Sequence, residues 1–316
     1  MSAFDAYIRL DGSLEGSITC DEPMSRHTTY RIGGPAALYI ECATLADLSL
    51  VTEVLAEEDV PWFIAGKGSN LLVAAEGYEG AVIVLGREFG RIDFGGFEEL
   101  EDDVDLPERV VVTVGASTAL SRLVQKAFSL GLSGLEFAVG TPGTVGGATR
   151  MNAGTRDAWF GTVVESVTVF TPGKGLSKLR GEDIVWAYRG SSIPADAIVV
   201  EVEVILKPSD KMMLHASMEA SLKRRRSTQP LSQPSCGSVF KGPDGDSAGR
   251  LIEACGLKGL KIGGAQISEV HANFIVNTGN ATAQDVLSLM KIAQDKVKEE
   301  HGVELRPEVK FLGFAH

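Results

Sequence analysis

The order of apolar and polar positions predicts short helices and strands that alternate along the first two thirds of the chain. Apolar residues recur at helical spacing after Thr44, a typical N-cap, so we expect a helix that ends near Glu58. A second helix is predicted over residues 120–130, with Gly131 as its stop. Apolar runs between these helices predict strands at residues 62–65 and 109–114, and runs after the second helix predict strands at 163–170 and 198–206.

The last third of the chain has a similar mixture of elements. After a predicted domain boundary at residues 207–210, the pattern indicates a helix to about Arg226 and another over residues 248–255. A strand at 273–277 and a long helix after Thr282 follow. The segment VELRPEVKF alternates, so we expect a strand with Glu308 on its polar face, confined to an edge or broken at Pro307.

Composition and charge narrow the possible functions. The chain lacks a signal-peptide pattern and any long apolar run, so we expect a cytoplasmic protein. Its formal net charge of -12 argues against general nucleic-acid binding. Residues 211–265 nevertheless carry 9 Lys/Arg against 4 Asp/Glu, which favours an anionic ligand there. The four cysteines and five histidines are scattered, and they indicate neither a disulfide framework nor a zinc site.

Two glycine-rich segments are the first candidates for chemistry. Residues 66–70 follow a predicted strand, and residues 134–154 contain too much glycine for us to expect a regular helix or strand. Backbone amides in such loops can converge on a phosphate, although tight turns alone also use glycine. The dinucleotide fingerprint, the P-loop and the H-E-x-x-H motif do not occur. A Rossmann enzyme is therefore not indicated.

One pattern suggests a different class of enzyme. Residues 245–249 match G-x-S-x-G, so Ser247 is a candidate nucleophile, with His271 or His301 as its base. Ser247 also stands where an N-cap is expected for the helix over residues 248–255, and we favour that interpretation. A serine hydrolase remains an alternative.

Eight segments in order resemble the UDP-N-acetylenolpyruvoylglucosamine reductase family. They are HTTYRIGGPA, AGKGSNLLV, EFAVGTPGTVGGATRMNAG, WAYRGSSI, CGSVFKGP, LIEACGLKG, AQISEVHANFIVN and LRPEVKFLGF. The resemblance implies an α+β fold with a two-part FAD-binding cradle of the vanillyl-alcohol-oxidase type and a C-terminal α+β substrate domain. The implied boundaries are 1–85 and 86–209 for the two FAD-binding subdomains and 210–316 for the substrate domain.

The resemblance also implies the site residues. Arg189, Ser238 and Glu308 correspond to the family's catalytic group. The implied cofactor-binding residues are Gly66, Lys67, Gly68, Ser69, Asn70, Gly140, Thr141, Pro142, Gly143, Thr144, Gly146, Gly147, Asn152 and Gly154. The substrate-binding candidates are Tyr188, Arg225, Lys241 and Gln266. No metal ligand is implied.

The implied reaction reduces the enolpyruvyl group of a UDP-sugar with NADPH through FAD, in peptidoglycan precursor synthesis. We expect non-covalent FAD, because neither glycine loop contains a histidine or cysteine. We also expect a monomer that binds the UDP-sugar and NADPH, without membrane insertion. The chain resembles the family's shorter class, which lacks a tyrosine-bearing insertion. It departs from the family at Gly190 and Gly242, where larger polar residues are usual. An FAD-dependent oxidase or dehydrogenase with another substrate is the alternative.

Overall fold

The computed structural model describes residues 2–99, 106–155 and 157–314. Its helices are α1 (Ala3–Leu10), α2 (Leu45–Glu57), α3 (Leu120–Ser129), α4 (Val145–Arg150), α5 (Lys211–Thr228), α6 (Ala248–Ala254) and α7 (Ala283–His301). Its strands are β1 (Ser17–Pro23), β2 (Pro35–Cys42), β3 (Trp62–Ala65), β4 (Leu71–Val73), β5 (Tyr78–Leu85), β6 (Ile92–Asp93), β7 (Val110–Gly115), β8 (Leu132–Ser133), β9 (Val164–Thr171), β10 (Gly175–Arg180), β11 (Trp186–Ala187), β12 (Gly190–Ser191), β13 (Ile198–Pro208), β14 (Lys261–Ile262), β15 (Ala265–Ile267), β16 (Ile275–Asn277) and β17 (Lys310–Leu312). Across the described ranges, we find no helix with the length and apolar character that a membrane crossing requires.

Contacts along the chain define two compact units. The first comprises Met1–Thr19, Tyr39–Gly66 and Ala81–Lys223. The second comprises Cys20–Leu38, Lys67–Gly80 and Arg224–His316. The mixed helix and strand content confirms the α+β class. The three-domain division at residues 85 and 209 stays a prediction.

The largest sheet lies in the first unit and is antiparallel. Its strand order is β10-β9-β13-β7-β6, with β8 paired to the end of β13. The alternation that predicted β13 is present: Val202 and Val204 are buried, and the intervening Glu203 is half-buried. All five apolar residues on the predicted face of α3 are buried in the same core. The predicted strands at 109–114, 163–170 and 198–206 are therefore confirmed.

Helix α2 follows the pattern expected from its N-cap. The Thr44 hydroxyl accepts a hydrogen bond from the Asp47 amide, and Leu48, Val51 and Leu55 are buried. Asp47 itself is buried, because its carboxylate accepts hydrogen bonds from the backbone amides of residues 15, 16 and 43. The four-stranded sheet beside this region has the order β1-β2-β5-β3, and β3 runs parallel to β5.

The second unit has its own core around α6, α7 and small sheets. Strands β14, β15 and β16 form an antiparallel sheet, and β17 pairs in parallel with β4. Helix α7 begins with a capping box between Thr282 and Asp285 and ends at Gly302 in the left-handed conformation. The five apolar residues of its predicted stripe are all buried. The long helix after Thr282 is therefore confirmed.

One prediction of local structure needs correction, and the expected break at Pro307 is confirmed. The glycine-rich segment 134–154 is not entirely loop, because Val145–Arg150 form α4. Glycine fits there because a Cβ atom on Gly146 would lie 2.9 Å from the Ala116 Cβ atom. The alternating C-terminal segment forms only the three-residue β17, and Pro307 makes an isolated bridge to Phe240. A proline cannot donate to a ladder, which accounts for the break.

Candidate functional site

The first glycine loop, residues 66–70, begins in contact with the second. A Cβ atom on Gly66 would lie 2.7 Å from the Thr144 hydroxyl oxygen, so a larger residue would collide with this side chain. The Thr144 hydroxyl caps α4 by accepting a hydrogen bond from the Gly147 amide at 3.3 Å. The two loops therefore meet at Gly66 and Thr144, both in the first unit.

Glycine is also required at position 68 of the first loop, for a different reason. Gly68 has a φ of +58°, and a Cβ atom there would lie 2.3 Å from the His27 carbonyl oxygen. Among the residues that the structure describes, the amides of Lys67, Gly68 and Ser69 donate no hydrogen bond. Such amides are suitable donors for a phosphate. The loop therefore fits a cofactor that carries a diphosphate, as FAD does.

Amides of the second loop have partners in the fold. The Thr141 amide donates to the Ala138 carbonyl at 2.9 Å, and the Gly146 amide donates to the Ala116 carbonyl at 2.9 Å. These bonds fix the backbone of residues 140–147 against its neighbours. Within the second loop, the exposed members of the predicted set are Gly140, Pro142 and Gly147. Because these positions are exposed, the surface of this loop is where a cofactor would contact it.

Asn152 and Gly154 were predicted as cofactor residues, but their observed contacts are with other parts of the fold. Asn152 is buried, and its side-chain amide donates to the Ala187 carbonyl at 3.0 Å while its Oδ1 accepts from the Gly161 amide at 2.9 Å. The Gly154 carbonyl accepts a hydrogen bond from the Arg189 guanidinium at 3.1 Å. Both residues therefore shape the segment that carries Arg189.

Arg189 occupies the tip of a tight hairpin between β11 and β12. Ala187 pairs with Gly190, so Tyr188 and Arg189 form a two-residue turn. The φ of Arg189 is +57°, a conformation that a non-glycine residue rarely adopts. Its guanidinium carbon lies 5.4 Å from the centre of the Tyr188 ring. A strained backbone together with a stacked, hydrogen-bonded guanidinium is typical of a positioned functional arginine.

Ser238 and Glu308 lie on neighbouring segments of the second unit. The Glu308 amide donates to the Val239 carbonyl at 2.8 Å, and the Lys241 amide donates to the Arg306 carbonyl at 2.9 Å. The two extended segments therefore run side by side, and Ser238, Lys241 and Glu308 are each half-buried on them. The structure thus brings together two of the three predicted catalytic residues and one substrate-binding candidate.

Two polar residues that the sequence reasoning missed support this pair of segments. The Asn273 side chain accepts from the Phe240 amide at 3.0 Å and donates to the Phe240 carbonyl at 2.8 Å. The Thr29 hydroxyl donates to the Ser235 carbonyl at 2.7 Å. Both residues lie in signature segments of the resemblance, HANFIVN and HTTYRIGG. Their positions in those segments were the available signal.

Asn70 makes two hydrogen bonds to the segment that contains Glu308, one with its side chain and one with its backbone. Its side-chain amide donates to the Glu308 carbonyl at 3.2 Å, and its own carbonyl accepts from the Lys310 amide at 3.0 Å. The sequence predicted Asn70 only as a cofactor residue. In the structure it also supports the position of a predicted catalytic glutamate.

A buried thiol and phenol lie next to the serine loop. Burial raises the pKa of the Cys236 thiol to about 12, and the Glu308 carboxylate contributes in the same direction. Burial also raises the pKa of the neighbouring Tyr30 hydroxyl well above its ordinary value. Both groups are therefore protonated at neutral pH, so Cys236 is not a thiolate nucleophile.

Two substrate-binding candidates have local partners. The Arg225 guanidinium, on α5, donates to the Gln229 side-chain oxygen at 3.2 Å. The Gln266 side-chain amide, on β15, donates to the Gly259 carbonyl at 3.1 Å. The observed hydrogen bonds do not join either residue to Ser238 or Glu308 in the described part of the chain. Their role toward a substrate stays a prediction.

Ser247 is a helix cap. Its hydroxyl accepts a hydrogen bond from the Arg250 amide at 3.2 Å at the start of α6. His271 is half-buried, its Nδ1 atom accepts from the Asn273 amide at 3.1 Å, and burial lowers its pKa. The capping interpretation is confirmed.

Comparisons with known proteins show which proteins this chain resembles. A model of the UDP-N-acetylenolpyruvoylglucosamine reductase C-terminal domain matches residues 229–312, and one of an FAD-binding domain matches residues 36–176. UDP-N-acetylenolpyruvoylglucosamine reductase 2 of Symbiobacterium thermophilum is 45% identical over 299 residues, covering 94% of this chain and 93% of that protein. The Heliobacterium modesticaldum reductase is 46% identical over 294 residues, covering 92% and 90%. The crystal structure of the Thermus caldophilus reductase is 37% identical, with a TM-score of 0.79 and coverages of 95% and 99%.

Proposed function

The chain belongs to the UDP-N-acetylenolpyruvoylglucosamine reductase family, and on that premise we propose which of its residues carry out the reaction. It is an FAD-containing oxidoreductase that reduces the enolpyruvyl group of UDP-N-acetylenolpyruvoylglucosamine with NADPH to give UDP-N-acetylmuramate, in peptidoglycan precursor synthesis. The resemblance noted in the sequence is confirmed. The serine-hydrolase alternative is wrong, since Ser247 caps α6.

The proposed cofactor residues are those of the two glycine loops, 66–70 and 140–147. In the described part of the chain, the amides of Lys67, Gly68 and Ser69 donate no hydrogen bond. This supports the assignment, because such amides can donate to the FAD diphosphate. When bound, FAD supplies a two-electron carrier that accepts hydride from NADPH and delivers it to the distal enolpyruvyl carbon. Asn152 and Gly154 also make contacts that hold the Arg189 hairpin, and their contact with the cofactor stays a prediction.

Arg189 is proposed to stabilise the charge that develops on the substrate. Addition of hydride to the distal carbon leaves an electron pair on the adjacent carbon, delocalised into the substrate carboxylate. A guanidinium can pair with both oxygens of that carboxylate, which an ammonium cannot do in the same plane. The hairpin with its positive φ presents Arg189 in one conformation, so little reorganisation is needed as the charge forms.

Ser238 is proposed to complete the reduction by protonating the adjacent carbon. Its hydroxyl proton moves to the carbanion, and the resulting alkoxide regains a proton from solvent after the product has left. A serine hydroxyl is a weak acid, so this step requires a strongly basic carbanion in a site from which water is excluded. Glu308 is proposed to position and stabilise the reacting group beside Ser238. The single observation that carries this assignment is the direct pairing of the segments that contain Ser238 and Glu308.

Substrate recognition is proposed for Tyr188, Arg225, Lys241 and Gln266. Lys241 has the strongest support, because its segment pairs with the one that carries Glu308. Arg225 lies in the basic part of the chain and would suit the diphosphate of the UDP-sugar. We further propose that the enzyme is a cytoplasmic monomer. Its cysteines are thiols rather than disulfides, which suits a reducing compartment, and size-exclusion chromatography with light scattering tests the monomer.

Anaerobic absorption spectroscopy of the holoenzyme tests the proposed function. We expect NADPH to bleach the flavin and UDP-N-acetylenolpyruvoylglucosamine to restore the oxidised spectrum without oxygen. The acid-denatured protein should release its flavin, since binding is expected to be non-covalent. Restoration by oxygen alone, with no effect of the enolpyruvyl substrate, would instead support an oxidase with another substrate.

A further inference from the structure

The ends of two helices in the second unit bring together a cysteine, a glutamate and a histidine. Cys255 is the C-cap of α6, and Glu300 and His301 are the last two residues of α7. One potential ligand atom from each lies within 4.8 Å of the other two. These residues are 45 positions apart in the sequence, so only the packing of α6 against α7 creates the group.

The position favours a cation for a reason independent of the three side chains. Both helices present their C-terminal ends here, and the last carbonyl groups of a helix carry partial negative charge. Lys296 is close enough to Cys255 for their charges to interact, but it is also paired with Glu299 at 2.9 Å. Asp246, paired with Arg250, is close enough to His301 for their charges to interact.

We propose that Cys255, Glu300 and His301 bind a zinc ion. A thiolate, an imidazole and a carboxylate are the ligands that zinc uses, whereas magnesium and calcium prefer oxygen atoms alone. Zinc–ligand distances of about 2.0–2.3 Å place tetrahedral ligand atoms roughly 3.5 Å apart. The exposed Glu300 and His301 side chains can close the remaining separation by rotation. Three protein ligands leave the fourth position for water.

The site is separate from the groups assigned to the reduction. None of the three residues lies in the paired segments of Ser238 and Glu308 or in the glycine loops. A bound ion would link the end of α6 to the end of α7 and stabilise the second unit.

Zinc and cobalt binding to the metal-free, FAD-loaded full chain tests this proposal. We expect equilibrium dialysis to give one zinc per chain. Cobalt should produce visible d–d bands at wavelengths longer than the flavin bands, with the intensity of a tetrahedral thiolate site. Changing a group that only orients a ligand typically lowers metal affinity by about tenfold to a hundredfold. Cys255→Ser and His301→Gln each remove a direct ligand, so each should lower zinc affinity by more than this. Glu300→Gln should weaken binding less, because the amide oxygen can still coordinate.

Matched variants separate this site from other thiols and imidazoles. Cys20→Ser and His215→Gln change exposed residues elsewhere and should leave zinc binding unchanged. Zinc should raise the melting temperature of the wild type and of these controls, but not of Cys255→Ser. Turnover with NADPH should be normal in every variant, which verifies folding. The proposal is overturned by absence of stoichiometric binding to the wild type, or by wild-type affinity in both Cys255→Ser and His301→Gln.

Discussion

The hairpin that carries Arg189 and the paired segments that carry Ser238 and Glu308 are held in different ways. Arg189 donates to the Gly154 carbonyl, only 35 residues away in the chain, and its backbone is fixed by a two-residue turn. The Glu308 carbonyl accepts from the Asn70 side chain, 238 residues away. The first group depends on local backbone geometry, whereas the second exists only when distant parts of the second unit have folded together.

The two groups should therefore fail differently when they are changed. A substitution in the hairpin should alter the stabilisation of charge while the neighbouring structure persists. A substitution in the supporting residues of the paired segments should displace Ser238 and Glu308 together. Four experiments sharpen or break this comparison.

The largest effect is expected for Ser238→Ala. Because the hydroxyl is proposed to act only after hydride has reached the substrate, reduction of the flavin by NADPH should be nearly intact. Reoxidation by the enolpyruvyl substrate should slow by roughly 10²-fold to 10⁴-fold, the range for a general acid. Stopped-flow absorbance of the flavin separates the two phases. The control Ser247→Ala removes a helix cap and should cost at most about 1 kcal/mol of stability with little loss of activity. Equal slowing of both phases in Ser238→Ala would assign the serine to folding or cofactor binding.

Arg189→Lys should have the next largest effect. Lysine keeps the positive charge but loses the planar pair of donors that faces the carboxylate. Substrate-dependent turnover should fall by roughly tenfold to a thousandfold, the scale for removing one group that stabilises developing charge. The flavin content should stay normal, which the ratio of visible to ultraviolet absorbance measures. Near-normal turnover would place Arg189 outside the reacting group.

Asn70→Ala and Asn152→Ala compare the two kinds of support directly. Asn70→Ala leaves the Glu308 carbonyl without its side-chain donor, which should cost about 1–3 kcal/mol in urea unfolding. If positioning of Glu308 is its main role, flavin content should persist while substrate-driven reoxidation slows. Asn152→Ala removes the bonds to Ala187 and Gly161 and should affect the Arg189 hairpin instead. Loss of flavin from Asn70→Ala with an unchanged reoxidation rate in the remaining holoenzyme would favour a cofactor role alone.

The fourth experiment concerns buried thiols, of which each unit has one. Burial raises the pKa of Cys42 in the first unit and of Cys236 in the second, each to about 12. In the unfolded chain these thiols lose their protons near pH 9, while in the folded chain they keep them. Stability is therefore intact below about pH 9 and declines as pH rises toward 12, by at most about 1.4 kcal/mol per pH unit for each thiol. Urea unfolding at increasing pH measures this decline.

Variants of the same cysteines test whether the buried thiols cause this loss of stability at alkaline pH. Cys42→Ala and Cys236→Ala should each make the free energy of unfolding depend less on alkaline pH, and Cys20→Ala, at an exposed position, should not. Identical pH dependence in the wild type and Cys236→Ala would contradict the contribution of that thiol.

Regular elements were the part of the fold that the sequence predicted well. Helices α2, α3 and α7 have the expected caps and buried faces, and β9 and β13 have the expected positions. These features follow from spacing of side chains over a few residues, which is a local property. The resemblance also named Arg189, Ser238 and Glu308, whose types and motifs are readable one segment at a time.

Contacts between distant segments were not readable in the same way. No local pattern predicted a helix at α4, because the glycine at position 146 is explained by the close approach of Ala116, which lies elsewhere in the chain. The sequence predicted Asn152 as a cofactor residue, which stays a prediction, but it did not indicate that the Asn152 side chain donates to the Ala187 carbonyl beside Arg189. The pairing of the Glu308 segment with Val239 likewise needs two parts of the chain that no periodicity relates.

The sequence alone therefore determined which local elements form and which residue types are available for hydride-transfer chemistry. The tertiary structure decided which of those residues are neighbours. It placed Glu308 beside the Ser238 segment and brought Cys255 to Glu300 and His301. The physical reason is that periodicity and capping depend on bonds within a few residues, whereas a ligand set or a catalytic pair depends on packing between surfaces that the chain order does not reveal.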